Sequence, residues 1–164
     1  MGYTKVVSGQ TFDSTRSNPY QKFNWIVSID DFAKAGFKTC SGLEKTVNIL
    51  KYRDGGDNNY ERKEPGFTTY ADITLARGMS QDKDMISWAN ESMNLDGVAK
   101  TATQLKRDLT IQLRDPRHIG VRQWNVYEAF IASYKFDDLD ASSDEFIIET
   151  MVIAHEGWEE VDVT

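Results

Sequence analysis

The sequence predicts a mainly β protein built from two packed antiparallel sheets or from one partly closed β-barrel, with about seven strands and one α-helix on the flank. Three observations indicate this fold. Apolar and polar residues alternate along most of the chain, which is typical of half-buried strands. Clusters of Gly, Pro, Asn and Asp separate the alternating segments, which favours antiparallel pairing. Helical spacing of apolar residues is clear in one segment, residues 81–95.

Length and composition indicate one globular domain. The chain has 164 residues, and its 19 Lys and Arg residues against 26 Asp and Glu residues give a formal net charge of -7. Because an acidic surface repels phosphate, a general nucleic-acid binder is disfavoured, although a channel along which nucleic acid slides is not. No stretch approaches the ~20 apolar residues of a membrane helix, so we expect no membrane anchor.

The first strands are predicted before residue 42. A Ser-, Thr- and Gly-rich arm with little structure of its own is expected over residues 1–19, followed by a single domain over residues 20–164. Residues 32–41 are expected to return as the partner of the first strand, with a bend or bulge at Gly36. One face of that first strand, residues 22–29, carries Phe23, Trp25, Val27 and Ile29.

A long hairpin over residues 43–77 is the most distinctive local feature. Residues 54–59 form a turn with two glycines among Asp and Asn, and Pro65-Gly66 is expected to break the chain again after a charged run. Hairpin loops usually hold two to five residues, so this tip is either a mobile loop or a segment that a partner orders. The predicted contact residues of the tip are Asp54, Asp57, Asn58, Glu61, Arg62, Lys63 and Glu64.

Two strands combine an apolar face with a face of small polar residues. They are the second strand of the hairpin and a strand over residues 108–114. Because successive side chains of a strand point to opposite faces, turning one row inward turns the other outward. The apolar rows are Ile73, Leu75, Leu109, Ile111 and Leu113. The polar rows are Asp72, Thr74, Asp108, Thr110 and Gln112.

The helix is predicted over residues 81–95. Ser80 is its expected N-cap, and Gly97 suits the left-handed position that follows a helix. Met85, Trp88 and Met93 recur at helical spacing and form an apolar stripe. Such a stripe packs into the core, or it forms a face shared with a neighbouring subunit.

The remaining segments extend the β pattern. Residues 98–107 are polar and carry no clear periodicity. Strands are predicted over residues 122–133 and 145–155, separated by an acidic loop over residues 137–144.

The residue patterns that common catalytic and metal sites require are missing. Cys40 is the one cysteine, and His118 and His155 are the two histidines. The position one helical turn after His155 is Glu159, so the zinc-protease spacing fails, and Asp54 starts no calcium-loop pattern. Neither a nucleophile elbow nor a phosphate-binding loop appears. We therefore expect no enzyme activity, no cofactor and no metal.

Several sequence motifs resemble the inner tube proteins of contractile phage tails and phage-like injection systems. The resemblance is carried by SGLE at residues 41–44, YRDGGDN at 52–58, KEPG at 63–66 and ITLARG at 73–78. Weaker matches lie in residues 18–27 and in LDASS at 139–143, IET at 148–150 and AHEG at 154–157. They follow the family's order and together cover roughly residues 18–158.

The resemblance implies a structural subunit. Six copies are expected to close into a ring, and rings to stack into a hollow tube inside a sheath. The implied partners are the sheath protein, baseplate or tube-initiator and spike proteins, and cargo in the lumen, which is a protein effector or DNA. The particle would assemble in the bacterial cytoplasm and act outside the cell.

On this interpretation three surfaces have assigned roles. The hairpin tip would contact the adjacent ring, and the helix stripe of Met85, Trp88 and Met93 would contact a neighbour within the ring. The polar rows would line the lumen, because a wall without apolar or basic patches does not retain cargo. Two alternatives remain open: an initiator ring of the same machine, and a soluble β-sandwich that binds a carbohydrate or peptide.

Overall fold

The computed structural model of the protein describes residues 6–7, 10–11, 25–29, 33–53, 55–56, 60–81, 83–94, 97, 99–140, 142 and 145–163. In this part of the chain the secondary structure is mostly antiparallel strand, which confirms the predicted class. The strands are β1 (Val6–Val7), β2 (Gln10–Thr11), β3 (Trp25–Ile29), β4 (Ala33–Ala35), β5 (Thr39–Ser41), β6 (Lys45–Tyr52), β7 (Arg62–Tyr70), β8 (Ile73–Gly78), β9 (Arg107–Arg114), β10 (Gly120–Phe136), β11 (Ile148–Ala154) and β12 (Gly157–Val161). The helices are α1 (Asp84–Ser92) and α2 (Ala102–Leu105).

Eight of these strands form one sheet, which runs in the order β4-β3-β9-β10-β11-β8-β5, with β12 also paired to β10. Strands β6 and β7 form a separate two-stranded ribbon, and β1 pairs with β2. Within the expected arm, therefore, the four described residues are paired with one another. The boundary between arm and domain stays a prediction.

Strand β10 joins the two halves of the sheet. Its first part lies between β9 and β12, and its last part, from Phe130 onward, pairs with β11. Between the two parts the register with β9 shifts, and Glu128 adopts a φ of 54°. The Glu128 N–H donates to the carboxylate of Asp108 at 3.0 Å, which holds this bulge. Because a bulge bends and twists a strand, the sheet curls here without closing into a barrel.

The chain crosses between the halves a second time at Gly36. Strand β4 pairs with β3 in the first half, and β5 pairs with β8 in the second. The strand breaks at Gly36, where the sequence predicts a bend or bulge, and the bend itself falls at Lys38. Residues 32–41 therefore do not form one partner strand for β3. Lys38 N–H donates to the Ala76 carbonyl at 2.8 Å, which aligns the second segment with its new neighbour.

Both halves and helix α1 share one hydrophobic core. Ile73, Leu75, Leu109 and Ile111 point into it, as the alternating pattern predicts. The core residues are Val27, Ile29, Phe37, Ile73, Leu75, Met85, Trp88, Ala89, Leu109, Ile111, Val126, Ala129, Ile131, Met151 and Ile153.

The helices and the last strand differ from the prediction. Helix α1 begins after Lys83, which makes no side-chain cap hydrogen bond, so Ser80 is not its N-cap. The helix ends at Ser92, and Asn94 takes the left-handed conformation with a φ of 57°, before Gly97 is reached. Helix α2 and strand β12 were not predicted, because α2 is a single turn and β12 carries consecutive exposed Glu residues.

A buried ionic network links three strands of the second half. Arg77 on β8 and Glu149 on β11 are direct neighbours in the register, and they are 5% and 3% exposed. The Arg77 Nε donates to one Glu149 carboxylate oxygen, and the Tyr134 hydroxyl on β10 donates to the other. Burial, together with this hydrogen bond to Glu149, raises the pKa of Tyr134 well above its usual value.

The network makes a testable prediction about stability. Arg77→Met or Glu149→Leu alone should lower the free energy of unfolding by about 3–5 kcal/mol, because each leaves an uncompensated charge in the core. The double variant should recover most of this loss, since it buries no charge. Chemical denaturation measures all three.

The matched control is Arg122→Met, which removes an exposed ion pair to Glu160 at 3.0 Å. That change should cost less than about 1 kcal/mol. The prediction would be contradicted if the unfolding free energy of the double variant were no higher than that of the less stable single variant.

Candidate assembly surfaces

The β6–β7 ribbon stands apart from the main sheet and is exposed on both of its faces. Every residue of β6 is exposed, and Phe67 on β7 is 85% exposed. An isolated two-stranded ribbon is marginally stable in water, because it has no third strand or helix to cover its apolar side chains. A ribbon of this kind is therefore suited to binding a partner.

The root of the ribbon is held by a close backbone approach at Gly42. Its φ is +94°, and a Cβ at this position would lie 2.1 Å from the Asp72 carbonyl oxygen. The Glu44 carbonyl accepts from the Ala71 N–H at 3.2 Å, just above this contact. Only glycine fits both the conformation and the space, so the ribbon leaves the domain in a defined direction.

Aromatic residues pack around the same root. The Tyr70 ring lies edge-on to His155 and Trp158, with centroids 6.0 and 6.4 Å away. His155 Nε2 lies 3.0 Å from the Ala71 carbonyl oxygen, and Lys45 Nζ lies 4.8 Å from the Trp158 ring centroid. These contacts fix the ribbon to the β11–β12 turn. Trp158 was not predicted as a contact residue, although its position directly after Gly157 was a signal that could have indicated it.

The tip is shorter than the sequence predicts. Strand β7 begins at Arg62 and continues through Pro65-Gly66, so the expected second break is wrong. The ribbon accommodates Pro65 because neither of its strands has a second neighbour among the described strands. Gly66 packs against the Asn48 carbonyl at a register shift. Arg62, Lys63 and Glu64 therefore lie on a strand rather than in the tip, while Glu61 immediately precedes it.

Three of the predicted tip residues, Asp54, Asp57 and Asn58, lie outside the described residues. The role of the tip stays a prediction.

The predicted lumen residues of β9 form part of a hydrogen-bonded polar face. Thr110 Oγ1 donates to Asn125 Oδ1 at 3.3 Å, and Gln112 Nε2 donates to Gln123 Oε1 at 3.4 Å. Gln123 Nε2 in turn donates to Asn125 at 3.2 Å. We call these four side chains the amide ladder. Each of the four side chains therefore makes at least one hydrogen bond within the face.

The same face continues across the second half of the sheet. Thr74 and Ala76 lie opposite the buried row of β8, and Asp72 is exposed beside them. Their register neighbours are small or β-branched: Thr39, Ser41, Thr150 and Val152. The alternation is thus confirmed for both strands, while the side of an assembly that this face occupies stays a prediction.

The helix stripe offers less surface than expected. Met85 and Trp88 are buried in the core of their own chain, whereas Met93 is 38% exposed. Of the three predicted residues, only Met93 is therefore exposed enough to contact a neighbouring subunit, and that contact stays a prediction.

An apolar patch lies at the end of the second half, where β8 and β10 finish and β11 begins. Phe146 is 89% exposed and Leu139 is nearly as exposed. Met79, Phe136, Leu139 and Ile147 line a shallow pocket of about 230 Å³. Acidic residues surround it, and Asp137, Asp138, Asp140 and Glu145 line an adjoining depression. We call Met79, Phe136, Leu139, Phe146 and Ile147 the end patch.

No chemistry-bearing cluster emerges in the part of the chain that the structure describes. Within it, no group of three His, Cys, Asp or Glu residues could hold a metal ion. None of the described helices is long and apolar enough to cross a membrane. Cys40 faces inward on β5, and burial raises the pKa of its thiol to about 11. The thiol is therefore protonated at neutral pH, which is unsuited to a nucleophile.

One family model matches most of the chain. It is described as T4-like virus tail tube protein gp19, and it matches residues 21–159. Among curated protein sequences, none matches this chain.

Solved structures share the fold over nearly the whole chain. A chain from the PVC sheath-tube complex in the extended state, an extracellular contractile injection system, is 26% identical with a TM-score of 0.74, over 88% of this chain and 93% of that chain. A chain from the PVC sheath/tube terminator is 25% identical with a TM-score of 0.76, over 89% and 99%. A chain from the anti-feeding prophage cap is 23% identical with a TM-score of 0.77, over 97% and 100%.

Cys40 should make stability depend on pH in the alkaline range. Its thiol pKa rises from 9.0 to about 11 on folding, so the unfolded chain loses this proton first. The stabilisation is complete below pH 9 and declines as pH rises toward 11, by at most about 2–3 kcal/mol.

Denaturation of the parent chain and of Cys40→Ala at pH 7 to 11 tests this. The two proteins differ only at residue 40, so contributions from the rest of the chain cancel in the difference. A difference in unfolding free energy that stays constant over the whole range would contradict the prediction.

Proposed function

Because the chain belongs to the tail tube protein family of T4-like viruses, we propose that six copies close into a ring and that rings stack into the hollow inner tube of a contractile injection machine. The observation that carries this proposal is the exposed β6–β7 ribbon on its rigid root. A monomer gains nothing from a fixed, uncovered ribbon with Phe67 at its surface, whereas a stacked ring covers it.

Ring closure has a physical basis in the strands at the margins of the sheet. Strands β4 and β5 end the sheet, and β12 lies beside the first half of β10 with no further neighbour among the described strands. Such edges present unpaired N–H and C=O groups that another chain can pair. Closed rotational symmetry satisfies the edges of every subunit at once.

The bore is assigned to the polar face of the sheet, with Asp72, Thr74, Asp108, Thr110 and Gln112 toward the lumen. Thr110 and Gln112 belong to the amide ladder, so part of their hydrogen-bonding capacity is already used within the wall. Six subunits would carry a formal charge of 6 × (-7) = -42. An acidic, polar wall retains neither nucleic acid nor unfolded protein.

The remaining assignments follow from a place inside such a machine. The tube would lie within a sheath and start from a baseplate or initiator ring behind a spike, and it would carry a protein effector or DNA. Assembly would take place in the bacterial cytoplasm before release of the particle. Tube subunits act by assembly, so we propose neither a catalytic role nor a cofactor.

Assembly and the tip can be tested together in particles produced from the full set of tube, sheath and baseplate proteins. We expect a particle map to place this chain in six-membered rings around one hollow axis, inside the sheath. Deleting residues 57–61 should block stacking while changing the melting temperature little, because the one ion pair described there, Lys51 to Glu61 at 3.7 Å, is exposed.

The control keeps the tip length and changes Asn58 and Asn59 to Ser. Tubes of normal length from the deletion variant would show that the tip is only a loop. Rings that never extend in the parent particle would indicate an initiator subunit, and density outside the sheath would reject the proposal.

The orientation of the polar face can be decided by charge reversal. Asp72→Lys with Thr74→Lys should leave tubes assembled but impair the loading or ejection of cargo, because two basic rows would then face the lumen. Asp72→Asn with Thr74→Ser is the neutral control. Loss of sheath binding with normal cargo passage would show that this face points outward.

A further inference from the structure

We propose that the end patch and its acidic border receive the β6–β7 ribbon of a second copy of this chain in the adjacent ring. The inference rests on the proposed function and adds the acceptor surface for the ribbon. Two exposed apolar surfaces on one chain, the ribbon and the end patch, would then cover each other between copies.

The root of the ribbon and the end patch lie at opposite ends of the same strands. Strand β8 begins at Ile73, directly after the ribbon root, and ends at Gly78, directly before Met79 of the end patch. Strand β11 runs in the opposite direction, with Ile153 beside Ile73 and Ile148 beside Gly78. The rise per residue of a strand separates the two ends by about 17–20 Å. A surface that binds at one end and a receptor at the other produce head-to-tail stacking.

The chemistry of one ribbon face fits an acidic and apolar acceptor. Lys51 and Lys63 lie directly opposite each other in the register, and the next pair along this face is Ile49 and Pro65. Like charges opposite each other destabilise a strand pair, and the exposed ion pair of Lys51 with Glu61 at 3.7 Å compensates only one of the two. A carboxylate surface against this face would compensate both ammonium groups. We call these four residues the basic ribbon face.

The border of the end patch supplies the opposite charge. Residues 137–145 contain five acidic side chains and no basic one. Asp137 and Asp138 are exposed beside Phe136 and Leu139, so apolar and acidic groups alternate over one small area. The basic ribbon face presents the matching combination of Lys and apolar side chains. Strands β6 and β7 together carry four basic and one acidic side chain.

A charge-swap experiment in complete particles tests the contact. Lys51→Glu with Lys63→Glu, and Asp137→Lys with Asp138→Lys, should each reduce the number of particles with full-length tubes at least tenfold. Combining all four changes should restore tubes to within about threefold of the parent, because the charges are again complementary. Thermal melts of the purified variants show whether each chain is folded.

A second combination controls for net charge. Lys51→Glu with Lys63→Glu is joined to Asp84→Lys with Asp162→Lys, two exposed acidic residues outside the strands of the sheet. This variant has the same total charge as the restored one, but it should not recover tubes.

The apolar part is tested by Phe146→Ser, with Ile119→Ser as the matched exposed apolar control in the turn before β10. Tube formation should fall at least fivefold for the first and stay unchanged for the second.

Normal tubes from the Asp137 and Asp138 variant would overturn the acceptor surface while leaving the proposed function intact. Tubes that form but lose their sheath would assign the end patch to the sheath instead and would also overturn it. Failure of the parent protein to form tubes inside the sheath contradicts the proposed function itself, so the two failures are distinguishable.

Discussion

The structure depends on one long strand that serves two halves of a sheet. Strand β10 can leave β9 and join β11 because it carries one extra residue at this point: residues 127 and 128 oppose the single Asp108 of β9, with Glu128 in a left-handed conformation. Such a conformation costs about 1–3 kcal/mol for a residue other than glycine, and the hydrogen bond to Asp108 offsets part of it. Without this bend, Val126 and Ile131 could not contribute to the same core, and the two halves would have no shared apolar face.

The part of the fold that follows local rules could be predicted from the sequence. Alternation correctly assigned Leu109 and Ile111 to the core, and Gly36 marked the crossing between halves. The bulge at Glu128 could not be predicted, because its cause is a carboxylate twenty positions earlier on another strand. Arg77 and Glu149 show the same difficulty: each interrupts an apolar row, and only the register shows that they are partners.

The candidate surfaces divide in a similar way. The motifs around the hairpin predicted a family and a projecting segment, since both depend on consecutive residues. The exposure of a side chain could be read only from the structure. Met85 and Trp88 have helical spacing but are buried within their own chain, whereas the apolar residues Phe146 and Leu139 are exposed. The charged run beyond the tip was misassigned, because a proline and a glycine within a ribbon look locally like a turn.

The amide ladder has a mechanical consequence for anything that travels through the proposed bore. Thr110, Gln112, Gln123 and Asn125 already bond to one another, so part of their hydrogen-bonding capacity is used within the wall and would not be offered to a passing molecule. At each subunit, the cargo would then meet a shallow free-energy minimum rather than a deep one. On the proposed assignment, transit along such a wall would be limited more by viscous drag than by the breaking of contacts, which would suit rapid delivery during a single contraction.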